Sequence, residues 1–251
     1  MEIFNVDPTA SKKNPQWYAY PEAQKDFIRH PRHAIESAIV SVDDDIAAQE
    51  FDDYAFVASL IFEASRLHID IPGRFVNAFP GDHYRLLAAL IKLTQPQLMI
   101  DIGTFTGLSA RVMGQYSHKG SNVVTFDITP YDQFPDSVLY PGVCKNFDIE
   151  QKIEDLSDPV VFSNNLDLIK SADFIMCDGP KDNRFEPIFL RQLSQVSMPC
   201  KRRWLLLDDI RFMDMIGLWR AIQSPKIDLT SFGHFSGTGL VDISKGLILK
   251  A

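Results

Sequence analysis

The sequence predicts an α/β fold built on a doubly wound, mostly parallel sheet whose last strand runs antiparallel, and three observations predict it. Four runs, QLMIDI (97–102), NVVTFDI (122–128), ADFIMCD (172–178) and RWLLLDD (203–209), are nearly continuous in apolarity, as strands covered on both faces must be. Helical patterns separate them, the alternation that gives a parallel sheet flanked by helices. The chain then closes differently: KIDLTSFGHF, the turn-forming Gly237-Thr238-Gly239 and LVDISKGLIL read as an antiparallel hairpin closing one sheet edge.

The elements follow in order. The stretch to about Pro31 mixes Pro, Asn and aromatic residues without a period and reads as an irregular arm, with Trp17, Tyr18 and Tyr20 either covering a substrate or packing on the domain. Ile46 to Leu67 has apolar residues at helical spacing behind the acids Asp43 to Asp45, which favour a helix N-terminus. Gly81 to Leu93 is a second helix, with Asp82 as N-cap and Tyr84, Leu87, Ala88 and Ile91 on one face. Between the strands, helices are expected at Leu108 to Tyr116, Pro159 to Lys170, Phe185 to Gln195 and Met213 to Gln223. Residues 1–79 thus form an arm and helical cover, and 80–251 the main domain.

Composition narrows the function. With 251 residues, 45% hydrophobic, the chain can bury one large core. Its start, MEIFNVDPTASKKNP, lacks the basic and apolar regions of a signal peptide, and no run approaches the ~20 apolar residues of a membrane span, so a cytoplasmic protein with no membrane partner is expected. A net charge of -8 opposes nucleic acid as a partner, because phosphate binding depends on Lys and Arg. Cys144, Cys177 and Cys200 are isolated and read as reduced structural thiols. No HExxH, G-x-S-x-G or GxxxxGK[ST] motif is present. The scattered histidines each read as structural, although His68, His83 and His234 are within reach of a pocket, and Lys201-Arg202-Arg203 reads as a solvated edge.

Strand QLMIDI runs into Gly103-Thr104-Phe105-Thr106-Gly107 and then a helix, so this loop sits at a carboxyl strand end, where open α/β sheets bind ligands. The next strand ends in Asp127, 20 residues after Gly107, where an acid can accept both hydroxyls of a ribose. A nucleotide or a nucleoside would suit that acid. The dinucleotide fingerprint is not met, since Phe105 replaces the glycine that admits a pyrophosphate, and a nucleoside without phosphates is favoured.

On these residues the chain resembles the class I S-adenosylmethionine (SAM)-dependent methyltransferases, from roughly Pro80 to the C-terminus: MIDIGTFTGLSARVM as glycine motif, VVTFDI as ribose strand, KIEDLSD before the adenine-side helix and ADFIMCDGPKD as the fourth strand. The resemblance implies a Rossmann-like seven-stranded sheet with SAM as cofactor. It also implies that Asp101, Gly103, Thr104, Gly107 and Ser109 line the amino-acid end of SAM, Asp127 holds the ribose, and Asp155 with Leu156 borders the adenine. Glu154-Asp155 stands where the family has Gly-Asp, and an exposed acid approaching a helix is the other reading of Asp155.

Asp178 and the pair Asp208, Asp209 end two further strands, and carboxyl strand ends share one rim, so these acids can converge. Packed carboxylates repel unless protonated or bound to a cation, and oxygen ligands suit Mg²⁺. Among the methyltransferases this is similar to the catechol O-methyltransferase group and the macrocin and cephamycin-pathway O-methyltransferases. That similarity implies metal ligation by Asp178, Asp208 and Asp209, and places Lys181 where the catechol enzymes have their catalytic lysine, to be tuned by desolvation and a neighbouring cation. Pro180 stands where the antibiotic-pathway enzymes carry a second acid. The other readings are that Asp208 or Asp209 caps the following helix and that Lys181 is a solvated loop residue.

The expected activity is transfer of the SAM methyl group to a hydroxyl of a small molecule, assisted by Mg²⁺, with a homodimer among the expected assemblies. Its rivals are a metal-independent methyltransferase of the same fold acting on nitrogen, carboxylate or sugar hydroxyl, a non-catalytic SAM-binding protein, and a nicotinamide-dependent oxidoreductase.

Overall fold

The computed structural model describes residues 54–72, 83–199, 201–230, 232–233 and 235–250. Their elements are α1 (Tyr54–Arg66), α2 (His83–Thr94), β1 (Leu98–Ile102), α3 (Leu108–Tyr116), β2 (Asn122–Asp127), a 3-10 turn (Tyr131–Gln133), α4 (Pro141–Asn146), β3 (Ile149–Ile153), α5 (Pro159–Asn164) and α6 (Leu166–Ser171). There follow β4 (Phe174–Cys177), α7 (Phe185–Ser194), β5 (Trp204–Asp208), α8 (Met215–Ala221), β6 (Lys226–Asp228) and β7 (Thr238–Asp242). The N-terminal arm, Asp82 as helix cap, Cys200 and His234 lie outside the described residues, as does most of the 1–79 unit.

The strands form one seven-stranded sheet in the order β3-β2-β1-β4-β5-β7-β6. Strands β1 to β5 are parallel, and β7 runs antiparallel between β5 and β6. This is the α/β, doubly wound, Rossmann-like sheet with an antiparallel last strand that the sequence predicts. The chain leaves β1 for β2 on one side and returns to β4 on the other, which opens a crevice beyond their carboxyl ends.

Side chains alternate between two cores, one on each face of the sheet. Phe174, Met176, Trp204 and Leu206 face one layer with Leu60, Leu86 and Leu90 of α1 and α2, while Ile175, Cys177, Leu205 and Leu207 face Phe162, Phe189 and Trp219 of the opposite layer. Trp204 anchors α1: its ring stacks on Phe56 at 5.0 Å, with Arg202 over both rings.

Several boundaries differ from expectation. The helix expected over Pro159 to Lys170 is two helices broken at Asn165, whose Nδ2 donates to the Val161 carbonyl and to Glu154. Of the Gly237-Thr238-Gly239 run only Gly237, at φ 109°, lies in the turn region; Thr238 and Gly239 already belong to β7, and β6, not β7, is the outer edge. Arg203 is not on a solvated edge: it is 1% exposed, and its guanidinium donates to the Ala172 carbonyl at 2.9 Å.

Candidate active site

The loop after β1 is fixed by its own backbone. The N–H groups of Gly103 and Thr104 both donate to the Phe126 carbonyl of β2, at 2.9 and 3.2 Å. Gly103 has φ 97°, and a Cβ there would overlap the Asp178 carbonyl oxygen. A Cβ on Gly107, φ 80°, would overlap the Leu139 side chain. Both glycines therefore answer to packing inside the protein, and the close approach of a ligand, which the sequence suggests as their purpose, is not needed to explain them.

Beneath this loop runs a buried relay: Thr104 Oγ1 lies 2.7 Å from Thr125 Oγ1, which donates to Asp101 Oδ2 at 2.7 Å. Asp101 is 0% exposed, and its Oδ1 has no hydrogen-bond partner of normal geometry among the described residues. Burial raises its pKa from 3.8 to about 7, against the Thr125 and Ser109 hydroxyls, which favour the anion. Ser109 sits buried in the first turn of α3.

Asp127, at the end of β2, accepts the Phe105 N–H at 2.8 Å on one oxygen and the Thr129 N–H at 2.9 Å on the other. A carboxylate has about four acceptor sites, so capacity for two hydroxyls remains. Phe105, 37% exposed and at φ 45°, meets Phe134 edge to face at 4.9 Å. Asp155 closes a local turn, accepting the Ser157 N–H at 2.8 Å, and Leu156 is 1% exposed in the core of the second face.

The acids after β4 and β5 do converge: one oxygen from each of Asp178, Asp208 and Asp209 lies within 4.8 Å of the others. Neither Asp208 nor Asp209 caps a helix, since α8 starts at Met215 and Asp214 precedes it. Lys181 is not a solvated loop residue. It is 3% exposed, and its Nζ donates to Asp178 Oδ1 and to the Gly179 carbonyl and lies 3.4 Å from Asp209 Oδ2. Burial disfavours the charged amine, but Asp178, Asp209, Asp208 and Glu186 together hold its pKa well above the ordinary lysine value. With only the acids around it the ammonium form of Lys181 is favoured; the lowered pKa expected from the sequence is that of a lysine beside a bound cation. Burial, with Asp208 and Asp209 beside it, pushes Asp178 up to about 8, despite Lys181.

Residues that the sequence did not assign to the site also take part in it. Glu186, 0% exposed at the start of α7, accepts the Lys181 backbone N–H at 2.9 Å on Oε1, while its Oε2 has no partner among the described residues. It thereby stabilises the left-handed conformation of Lys181, φ 54°. A Cβ on Gly179 would come within 2.6 Å of Phe185 and 2.8 Å of Glu186, so that glycine makes room for the carboxylate. His83, which opens α2, places Nδ1 3.2 Å from Thr238 Oγ1 and 3.8 Å from Asp208 Oδ1. Tyr84, whose ring meets that of His83 edge to face at 4.8 Å, is held as a neutral phenol by burial and then by Asp178, Asp208, Asp101 and Asp209.

No protein-family model matches the sequence, and no curated protein matches it. Among solved structures the chain is similar to a methyltransferase from Geobacter sulfurreducens, 19% identical over 78% of this chain and 90% of that one, with a TM-score of 0.45. It is also similar to an O-methyltransferase from Bacillus cereus in complex with SAH, 15% identical over 78% and 91%, TM-score 0.45. A third is an SAH-bound methyltransferase from Podospora anserina, 12% identical over 78% and 88%, TM-score 0.47.

Proposed function

We propose that this chain is a SAM-dependent O-methyltransferase that methylates a hydroxyl of a small molecule with the help of Mg²⁺. One observation carries the reading: the loop after β1 and the acid cluster after β4 and β5 touch, because the Asp178 carbonyl sits against Gly103. A nucleoside cofactor on the first and an acceptor hydroxyl on the second are thereby brought face to face.

The donors fit both groups. Asp127 keeps acceptor capacity for a ribose, and the orphaned Asp101 Oδ1 under the loop suits an ammonium. Gly103, Thr104, Gly107 and Ser109 would border the amino-acid end of SAM, and Asp155 with the Leu156 backbone the adenine. Asp178, Asp208 and Asp209 offer only oxygen, the donor set of Mg²⁺. When bound, that cation supplies a Lewis acid that lowers the pKa of a hydroxyl on it. The residues do the rest: the two rims orient acceptor oxygen and methyl in line. Neutralising the carboxylates that hold it would let the Lys181 ammonium lose its proton to solvent, and the free amine Nζ could then take the hydroxyl proton.

No described helix is long and apolar enough to cross a membrane, and the acidic chain acting on a small molecule in the cytoplasm is the setting we propose. The test is transfer of labelled methyl from SAM to a panel of catechols and vicinal diols, with and without chelator. Transfer that stops with EDTA and returns with Mg²⁺ is expected, and Asp127→Ala should raise the KM for SAM at least tenfold. Absence of SAH binding would sink the proposal. Transfer indifferent to EDTA would favour a metal-independent transferase of the same fold, a second reading supported by Lys181, which already places a cation among the acids.

A further inference from the structure

We infer that the Lys181 ammonium is the resident counter-ion of the Asp178, Asp208 and Asp209 carboxylates and opposes any divalent cation entering among them, so that this site takes up metal weakly and reversibly. The inference rests on the carboxylate metal site proposed above and concerns how that site is loaded.

Three contacts pin the ammonium: Asp178 Oδ1, the Gly179 carbonyl at 3.0 Å, and Asp209 Oδ2 at 3.4 Å. The side chain is 2% exposed, so water screens it little. Its main chain is held as well, because the Lys181 N–H is tied to the buried Glu186 carboxylate and the residue sits at φ 54°. Two of the ammonium's partners are the same carboxylates that a divalent ion would need. The lysine offsets only part of the negative charge of the acids, so the cluster still attracts a dication. On entering, that ion must nevertheless meet a buried positive charge a few ångströms away and compete for oxygens already committed as acceptors. Repulsion between a dication and an ammonium at that range lowers affinity about tenfold or more even in a high dielectric.

The experiment titrates Mn²⁺ into the full chain at one pH near neutrality and counts free ion by its electron paramagnetic resonance signal. Wild type, Lys181→Met and Lys181→Arg are compared. Lys181→Met should bind Mn²⁺ at least tenfold more tightly than wild type, whereas Lys181→Arg, which keeps the charge, should stay weak. Removing the resident cation also leaves the acids uncompensated, so the melting temperature of Lys181→Met should rise more steeply with added Mn²⁺ than that of wild type. This keeps the inference testable if the variant is fragile without metal. Equal or weaker affinity in Lys181→Met would overturn the counter-ion role while leaving the metal site standing. No Mn²⁺ binding by any of the three would overturn both.

Discussion

Asp101 is a carboxyl group held out of water with one oxygen hydrogen-bonded and the other orphaned, and its titration has a definite sign. Its folded pKa, about 7, lies above the ordinary 3.8, so the stability it contributes is full below pH 4 and is lost as pH rises to 7. The loss is on the order of 4 kcal/mol for a shift of this size. Asp178, raised to about 8, acts in the same sense. Urea unfolding of wild type and Asp101→Asn at pH 4 and pH 8 separates the two: the wild type should lose stability relative to the variant as pH rises. A difference that stays constant with pH would refute the assignment. At Glu186 the expected pattern is chemical rather than pH-dependent. Glu186→Gln keeps an acceptor for the Lys181 N–H and should be nearly neutral. Glu186→Leu leaves that N–H buried and unpaired and should cost about 1–3 kcal/mol in the same unfolding measurement.

At the scale of elements, the junction of β1 with β4 is the tightest joint near the site. Gly103→Ala meets both a positive φ and a backbone oxygen that no rotamer change can move, and should cost more than about 2 kcal/mol. Gly179→Ala meets only the Phe185 and Glu186 side chains and should cost less. Thermal melts of the two variants check the order. These same elements show what was legible in the sequence. β1, β2, β4 and β5 announce themselves because a strand covered on both faces must be apolar throughout. β3, Ile149-Glu150-Gln151-Lys152-Ile153, did not stand out, since it is an edge strand with a half-exposed, polar middle. The break at Asn165 was hidden because the apolar spacing continues across it, while the cause is a hydrogen bond to the distant Glu154. In the site, the acids could be placed because carboxyl strand ends share a rim. Glu186 and Tyr84 could not, and His83 could be put only within reach of a pocket, because their part depends on packing between α7, α2 and loops that no local pattern records.

For the whole molecule, the two layers of helices bury the sheet almost completely and leave the carboxyl strand ends as the place where polar groups collect. A ligand bound there only by the folded chain must stabilise the fold by mass action. Under the proposed function, SAH at one hundred times its Kd should add about 2.7 kcal/mol, read as a rise in melting temperature, and Asp127→Ala should lose that gain. NAD at the same concentration should leave the melting temperature unchanged.

The contact between Gly103 and the Asp178 carbonyl also bears on how such a molecule can change over generations. The spacing between its two rims is a property of main chain against main chain, as invariant as the pitch of a screw. Phe105, in the same loop as Gly103, is partly exposed and takes no part in that joint. Under the proposed function, drift at such a position would alter which acceptors are admitted while the alignment of donor and acceptor is inherited intact, so new specificities would be open to this scaffold without rebuilding its chemistry.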